Sequence, residues 1–134
     1  MNKIEHIGIA VKSIEKSNAL FASLFGEEHY KIEEVASEGV KTSFFKTGPN
    51  KIELLEATKP DSPIAKFLEK KGEGIHHIAF AVDNIESEIK RLQNEGFTVL
   101  NEVPKKGADN KLVAFLHPKT TNGVLIELCQ DIKS

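Results

Sequence analysis

The sequence predicts an α+β fold made of two tandem βαβββ modules. Three observations lead there: an internal repeat, a strand pattern opening each copy, and a helix pattern following each strand. The repeat is direct. His6-Ile7-Gly8-Ile9-Ala10-Val11-Lys12-Ser13-Ile14-Glu15 aligns without a gap with His77-Ile78-Ala79-Phe80-Ala81-Val82-Asp83-Asn84-Ile85-Glu86, an offset of 71 residues. A period that long, present twice, marks a duplicated module and not a solenoid.

Each copy opens with alternating, β-branched residues, the signature of a strand. On the first strand His6, Gly8 and Ala10 share one face, and Ile7, Ile9 and Val11 the other. His77, Ala79 and Ala81 repeat that arrangement against Ile78, Phe80 and Val82. A helix follows. In the second copy Asp83 or Asn84 can cap it, and Glu86 completes a capping-box spacing from Asp83. Ile85, Ile89 and Leu92 form its stripe and Gly96 its stop. In the first copy Ser13 is the cap, Ile14, Leu20, Phe21, Leu24 and Phe25 are apolar, and Gly26 ends the run.

Three more strands are predicted in each copy. In the first they fall at about Tyr30–Val35, Val40–Lys46 and Lys51–Ala57, with turns at Glu38-Gly39 and Gly48-Pro49-Asn50. In the second they fall at about Thr98–Val103, Leu112–Leu116 and Val124–Cys129. Between the copies, Ser62-Pro63 opens a connecting helix with Ile64, Phe67 and Leu68 as its stripe. The whole chain, 1–134, reads as one domain: module one at about 3–58, the helix at about 62–72, module two at about 75–130.

Composition narrows the function. Hydrophobic residues make up 40% and charged residues 28%, which suits a packed globular domain. A net charge of −2 gives no global field for nucleic acid or an anionic membrane, so an anionic ligand needs a local site. No window approaches the roughly 18–20 apolar residues of a membrane span. Cys129 is the single cysteine. With no apolar signal core near Met1 either, the expected location is cytoplasmic.

The chemistry is expected where small residues follow a histidine, because small side chains on an inward face leave volume for a ligand. Ile52-Glu53-Leu54 and Ile126-Glu127-Leu128 add a carboxylate inside each last strand, at an offset of 74, so the second copy gains three residues in a loop. An unpaired buried carboxylate costs several kcal/mol, and a divalent cation would remove that penalty. His6, Glu53, His77 and Glu127 make an N₂O₂ set suited to Zn, Co, Ni, Mn or Fe(II). Taken singly, a strand histidine is ordinarily structural and a strand glutamate ordinarily faces water. Recurrence in both copies raises the pattern above that background, although duplication alone could also preserve it.

Other residues read as structural. His76 should face away from His77, in a supporting or surface role. His117 precedes Pro118 in a turn, His29 starts a strand without an identifiable partner, and Cys129 lacks an activating base and reads as a buried inert thiol.

Paired βαβββ modules with His, Glu, His and Glu on the first, fourth, fifth and eighth strands resemble the vicinal-oxygen-chelate superfamily, which includes glyoxalase I, extradiol dioxygenases and fosfomycin-resistance proteins. More narrowly, five blocks are similar to methylmalonyl-CoA epimerases: Asn50 to Leu55, Ser62 to Leu68, Gly74 to Ile78, Phe115 to Lys119 and Gly123 to Leu128. The resemblance covers nearly the whole chain. It implies an eight-stranded, half-open mixed β-barrel with helices outside. It also implies one divalent ion (Co, Zn, Ni or Mn) on His6, His77 and Glu127 with Glu53 as fourth ligand. The implied partner is methylmalonyl-CoA or another acyl-CoA thioester, and the implied assembly a homodimer.

The activity so implied is interconversion of (2R)- and (2S)-methylmalonyl-CoA by C2 proton abstraction through a metal-stabilised enolate. Glu127 is the first choice of acid/base and Glu53 the second. The coenzyme A tail is expected near loops bearing Lys105, Lys106 or Lys119. One departure stands out. Some epimerases carry a glutamate base on the third strand and a glutamine as fourth-strand ligand, whereas this chain has Thr42 and Glu53. The alternatives are lactoylglutathione lyase activity, or a metal-free small-molecule-binding module of the same fold.

Overall fold

The computed structural model describes residues 1–133. In chain order the elements are β1 (Lys3–Ala10), α1 (Ile14–Phe25), β2 (Lys31–Val35), β3 (Val40–Thr47), β4 (Asn50–Ala57), α2 (Pro63–Lys71), β5 (Gly74–Ala81), α3 (Ile85–Asn94), β6 (Lys105–Lys106), β7 (Lys111–Leu116) and β8 (Ile126–Asp131). The βαβββ order is present twice, and the fold class is α+β with mixed strand pairing. The chain forms two compact units. One is His6–His76; the other joins Met1–Glu5 to the chain from His77 onward.

In the His6–His76 unit the strand order is β2-β3-β4-β1, with β1 parallel to β4 and the other pairs antiparallel. One sheet face carries Ile9, Val11, Phe45, Ile52 and Leu54 against Ile14, Phe21, Ala22 and Phe25 of α1. Ser13 caps α1 by accepting from the Lys16 N–H, and Gly26 ends it at φ 73° with its N–H on the Ala22 carbonyl. Leu20 and Leu24, apolar in sequence, face outward, while Ser17 and Asn18 are buried instead. Asn18 accepts a 2.5 Å hydrogen bond from Ser43 Oγ, which explains the irregular stripe. The opposite sheet face carries Ala10, Val40, Leu55 and Ala57 under Ile64, Phe67 and Leu68 of α2. Ser62 caps α2, and Pro63 is its first residue. Gly39 turns the chain into β3 at φ +63°, where a Cβ would stand 3.0 Å from Ser62 Cβ; only glycine fits that backbone and that approach.

In the other unit the order is β5-β8-β7-β6, with β5 parallel to β8. Ile85, Ile89 and Leu92 of α3 pack on Val82, Ala114, Leu116 and Leu128. Each such fully buried side chain contributes about 1.5–3 kcal/mol. The cap of α3 is Asn84, accepting from the Ser87 N–H at 3.1 Å; Asp83 accepts from the Asn2 amide instead, so Glu86 completes no capping box. On α3, Arg91 donates to Glu88 one turn back and holds its carboxyl below the usual carboxylate range.

The strand expected at Thr98–Val103 is not one. That segment keeps a single bridge, Val99 to Leu116, and the paired residues lie further on at β6. Asn101 is the cause. Its side chain accepts from the Phe115 N–H at 2.8 Å and donates to the Val113 carbonyl at 3.2 Å, taking ladder positions that a backbone would fill. The three extra residues of the second copy fall between β7 and β8, where Pro118–Thr120 makes a 3₁₀ turn. Among the described residues no helix is long and apolar enough to cross a membrane.

Candidate functional site

Each unit holds one buried histidine–glutamate pair. In the first, His6 Nδ1 lies 3.1 Å from Glu53 Oε2, with both residues 5% exposed. In the second, His77 Nε2 lies 2.9 Å from Glu127 Oε1, with both residues 6% exposed. The strands explain the match. Glu53 pairs with Gly8 of β1 on one side and Phe44 of β3 on the other; Glu127 pairs with Ala79 of β5 and Phe115 of β7. In both units the histidine lies two residues ahead of the small partner and so shares its face. A glycine or alanine on one flank leaves room beside the carboxylate. A phenylalanine on the other flank supplies a dry wall.

These pairs have the chemistry of ion ligands. Each pair offers a ring nitrogen and a carboxylate oxygen, both ligand types for a divalent cation, in a buried setting where a cation would offset the cost of burying the carboxylate. Two donors each about 2.1 Å from one ion, at roughly a right angle, stand about 3 Å apart, close to both observed separations. An imidazole N–H donating to the carboxylate would hold the same distance. The residues therefore fit a divalent metal by donor type and spacing.

Several residues around the pairs carried little sequence signal. Phe115 meets the His77 ring edge-on, with centroids 6.0 Å apart. Phe44 is fully buried, with Lys31 Nζ 4.5 Å from its ring centre. Thr42 is buried on the face of β3 that Phe44 occupies, and its register partner on β4 is Leu55. The repeat could have revealed the phenylalanines, since Phe44 and Phe115 lie at the same 71-residue offset as the histidines.

The remaining candidates have local explanations. His76 packs edge-on against Phe67, with centroids 4.9 Å apart. His117 Nδ1 accepts from the Lys119 N–H at 3.0 Å and organises the following turn. His29 packs its ring against Phe45, and its buried Nδ1 finds no hydrogen-bond partner among the described residues. Cys129 is buried, with its thiol on the Phe80 carbonyl at 3.5 Å. Lys105, Lys106 and Lys119 are exposed.

Comparison with known proteins sets the chain in a family. Residues 5–115 match the Glyoxalase/Bleomycin resistance protein/Dioxygenase superfamily. The chain is 40% identical over 131 residues to the mitochondrial methylmalonyl-CoA epimerase of Homo sapiens, covering 97% of this chain and 74% of that protein. It is also 40% identical over 132 residues to the ethylmalonyl-CoA/methylmalonyl-CoA epimerase of Cereibacter sphaeroides, covering 97% and 98%. Among solved structures, a single-residue variant of a Streptomyces coelicolor methylmalonyl-CoA epimerase, in complex with 2-nitronate-propionyl-CoA, superposes with a TM-score of 0.94 and 32% identity, covering 100% of this chain and 99% of that one. A repeated βαβββ order, a family match over most of the length and near-complete structural superposition agree: the chain belongs to the Glyoxalase/Bleomycin resistance protein/Dioxygenase superfamily.

Proposed function

We propose that the chain is a methylmalonyl-CoA epimerase in which His6, Glu53, His77 and Glu127 hold one divalent metal ion. The observation that carries the reading is the buried His–Glu pair repeated at the same register in both units, in a chain whose relatives bear that activity in their names. The C2 hydrogen of methylmalonyl-CoA lies between a thioester and a carboxylate, so its loss puts negative charge on two oxygens. When bound, the ion would supply Lewis-acid stabilisation of that developing charge.

The protein's part is to place acid/base groups and keep water out. Glu127 takes the C2 proton with a carboxylate oxygen not engaged as a ligand, in the space that Ala79 leaves beside it. Glu53, beside Gly8, acts on the opposite face as the acid: it starts protonated and gives up its own proton while Glu127 keeps the one it removed. The centre is so inverted, after which proton exchange with solvent resets both groups. Phe44 and Phe115 line the carboxylates' other flanks and strengthen these interactions by excluding water. The coenzyme A tail runs near Lys105, Lys106 and Lys119, and two copies of the chain assemble.

The test is proton exchange. The metal-loaded protein, given one epimer of methylmalonyl-CoA in heavy water, is expected to exchange the C2 proton and form the other epimer. It should leave the methylglyoxal–glutathione adduct unchanged. Glu127→Gln is expected to slow exchange by about 10²–10⁴-fold. A C2 proton that stays in place with the metal-loaded wild type would sink the reading, and light scattering checks the two-copy assembly.

A further inference from the structure

We propose that the Glu5–Lys111 ion pair is a positioning device for His6, the next residue in the chain; the proposal rests on the metal reading given above. His6 occupies an unusual point. Strand β1 starts in one compact unit, with Met1–Glu5, and continues in the other from His6. The first five residues are tied down within their unit. The Asn2 N–H donates to the Ala81 carbonyl at 2.8 Å, and the Asn2 side-chain amide donates to Asp83 Oδ1 at 2.8 Å. Glu5 ends the segment with its carboxylate 3.9 Å from Lys111 Nζ.

That last tie is charged and withdrawn from water. The Glu5 side chain is 5% exposed and that of Lys111 is 12% exposed. Lys111 also donates to Asp131, so one ammonium serves two carboxylates. Asn2, Glu5, Lys111 and Asp131 line a cleft of about 400 Å³ that opens to solvent. Without the Lys111 ammonium, a buried Glu5 carboxylate loses that counter-charge, and the cleft offers a route to water. His6 is one peptide unit away, about 3.8 Å between Cα atoms, so a shift of Glu5 moves His6 with it. Metal–ligand distances in sound sites fall within about 0.2 Å of their usual values, so a small shift of His6 is enough to loosen its grip. The equivalent residue before His77 is His76, which packs on the Phe67 ring, so the acidic residue and its ammonium are a feature of the His6 side.

Divalent metal affinity of the apo, full-length chain, measured calorimetrically with Co²⁺ and with Zn²⁺, tests this. Lys111→Met is expected to weaken binding by about 10–100-fold, the range found when groups that orient metal ligands are removed. Lys111→Arg should stay within about threefold of wild type, because the charge remains. Glu5→Gln should weaken binding about threefold, and Glu5→Gln/Lys111→Met should match Glu5→Gln and not Lys111→Met, the coupling expected of partners.

A purely structural role would lower the melting temperature while leaving the affinity of folded protein unchanged. Wild-type affinity in folded Lys111→Met overturns the positioning role, as does a double variant as weak as Lys111→Met. If Lys111→Met does not fold, wild-type affinity in Glu5→Gln overturns it. A wild-type chain that binds neither ion overturns the metal reading and this proposal with it, so the two failures are told apart.

Discussion

The two units carry the same device with different tips. Glu53 and Glu127 occupy matching register positions, each flanked by a small residue and a phenylalanine. Yet the first pair presents His6 Nδ1 and the second His77 Nε2. Where the first unit has buried Thr42, the second has Val113 at the same 71-residue offset. The α1 start is gripped by Glu56 and the α3 start by Gln130, at the offset that relates Glu53 to Glu127. Around the two pairs duplication thus preserved backbone and register, and divergence there acted at side-chain ends, while the strand after the helix and the loop before the last strand diverged in backbone as well.

After Glu127→Gln, the largest effect should come from changing the first unit's carboxylate. Glu53→Gln is expected to slow epimerisation by about 10²-fold, since an amide cannot carry the proton. Thr42→Glu in the same protein should recover part of the rate, because β3 places residue 42 on the face that Glu53 occupies on β4. Steady-state rates with measured metal content check both. If Glu53→Gln keeps full activity and Thr42→Glu changes nothing, Glu53 does not stand in for the third-strand glutamate base that some epimerases carry.

How much of this was legible in the sequence depended on whether a signal was periodic. The repeat exposed both modules and all four paired residues, because each lies at a fixed offset in a strand of regular alternation. The Thr98–Val103 segment misled because its alternation is strand-like while Asn101 replaces the backbone ladder with side-chain bonds, a substitution that no periodicity reveals. Leu20 and Leu24 misled in the opposite sense: α1 buries Asn18 to meet Ser43, a long-range polar contact that turns those leucines outward. The placement of Glu5 beside Lys111 was invisible because the two lie on separate strands with no repeat to link them.

The helices should sharpen the contrast next, as stability. Ile89→Ala in α3 removes a side chain 2% exposed within the second unit's core, and is expected to cost about 2–5 kcal/mol. Leu24→Ala in α1 removes one 69% exposed, and should change stability by no more than about 0.5 kcal/mol. Urea unfolding of the two variants measures the difference. Equal losses would mean that the outward face of α1 is covered in solution.

The smallest effect concerns the matching grips on the helix starts. Glu56 Oε1 accepts from the Ile14 N–H at 2.7 Å, and Gln130 Oε1 accepts from the Ile85 N–H at 2.7 Å. Both satisfy a first-turn donor that the helix itself leaves unpaired, so alanine at either place should cost about 1 kcal/mol. The swaps separate hydrogen bonding from charge. A carboxylate also interacts favourably with the positive end of the helix dipole, by about 0.3–1 kcal/mol at low salt. Glu56→Gln should therefore lose that increment and Gln130→Glu should gain it, with both differences shrinking as salt is added. If both swaps are neutral at every ionic strength, the grip is a hydrogen bond alone, and the charge difference between the two units has no bearing on their stability.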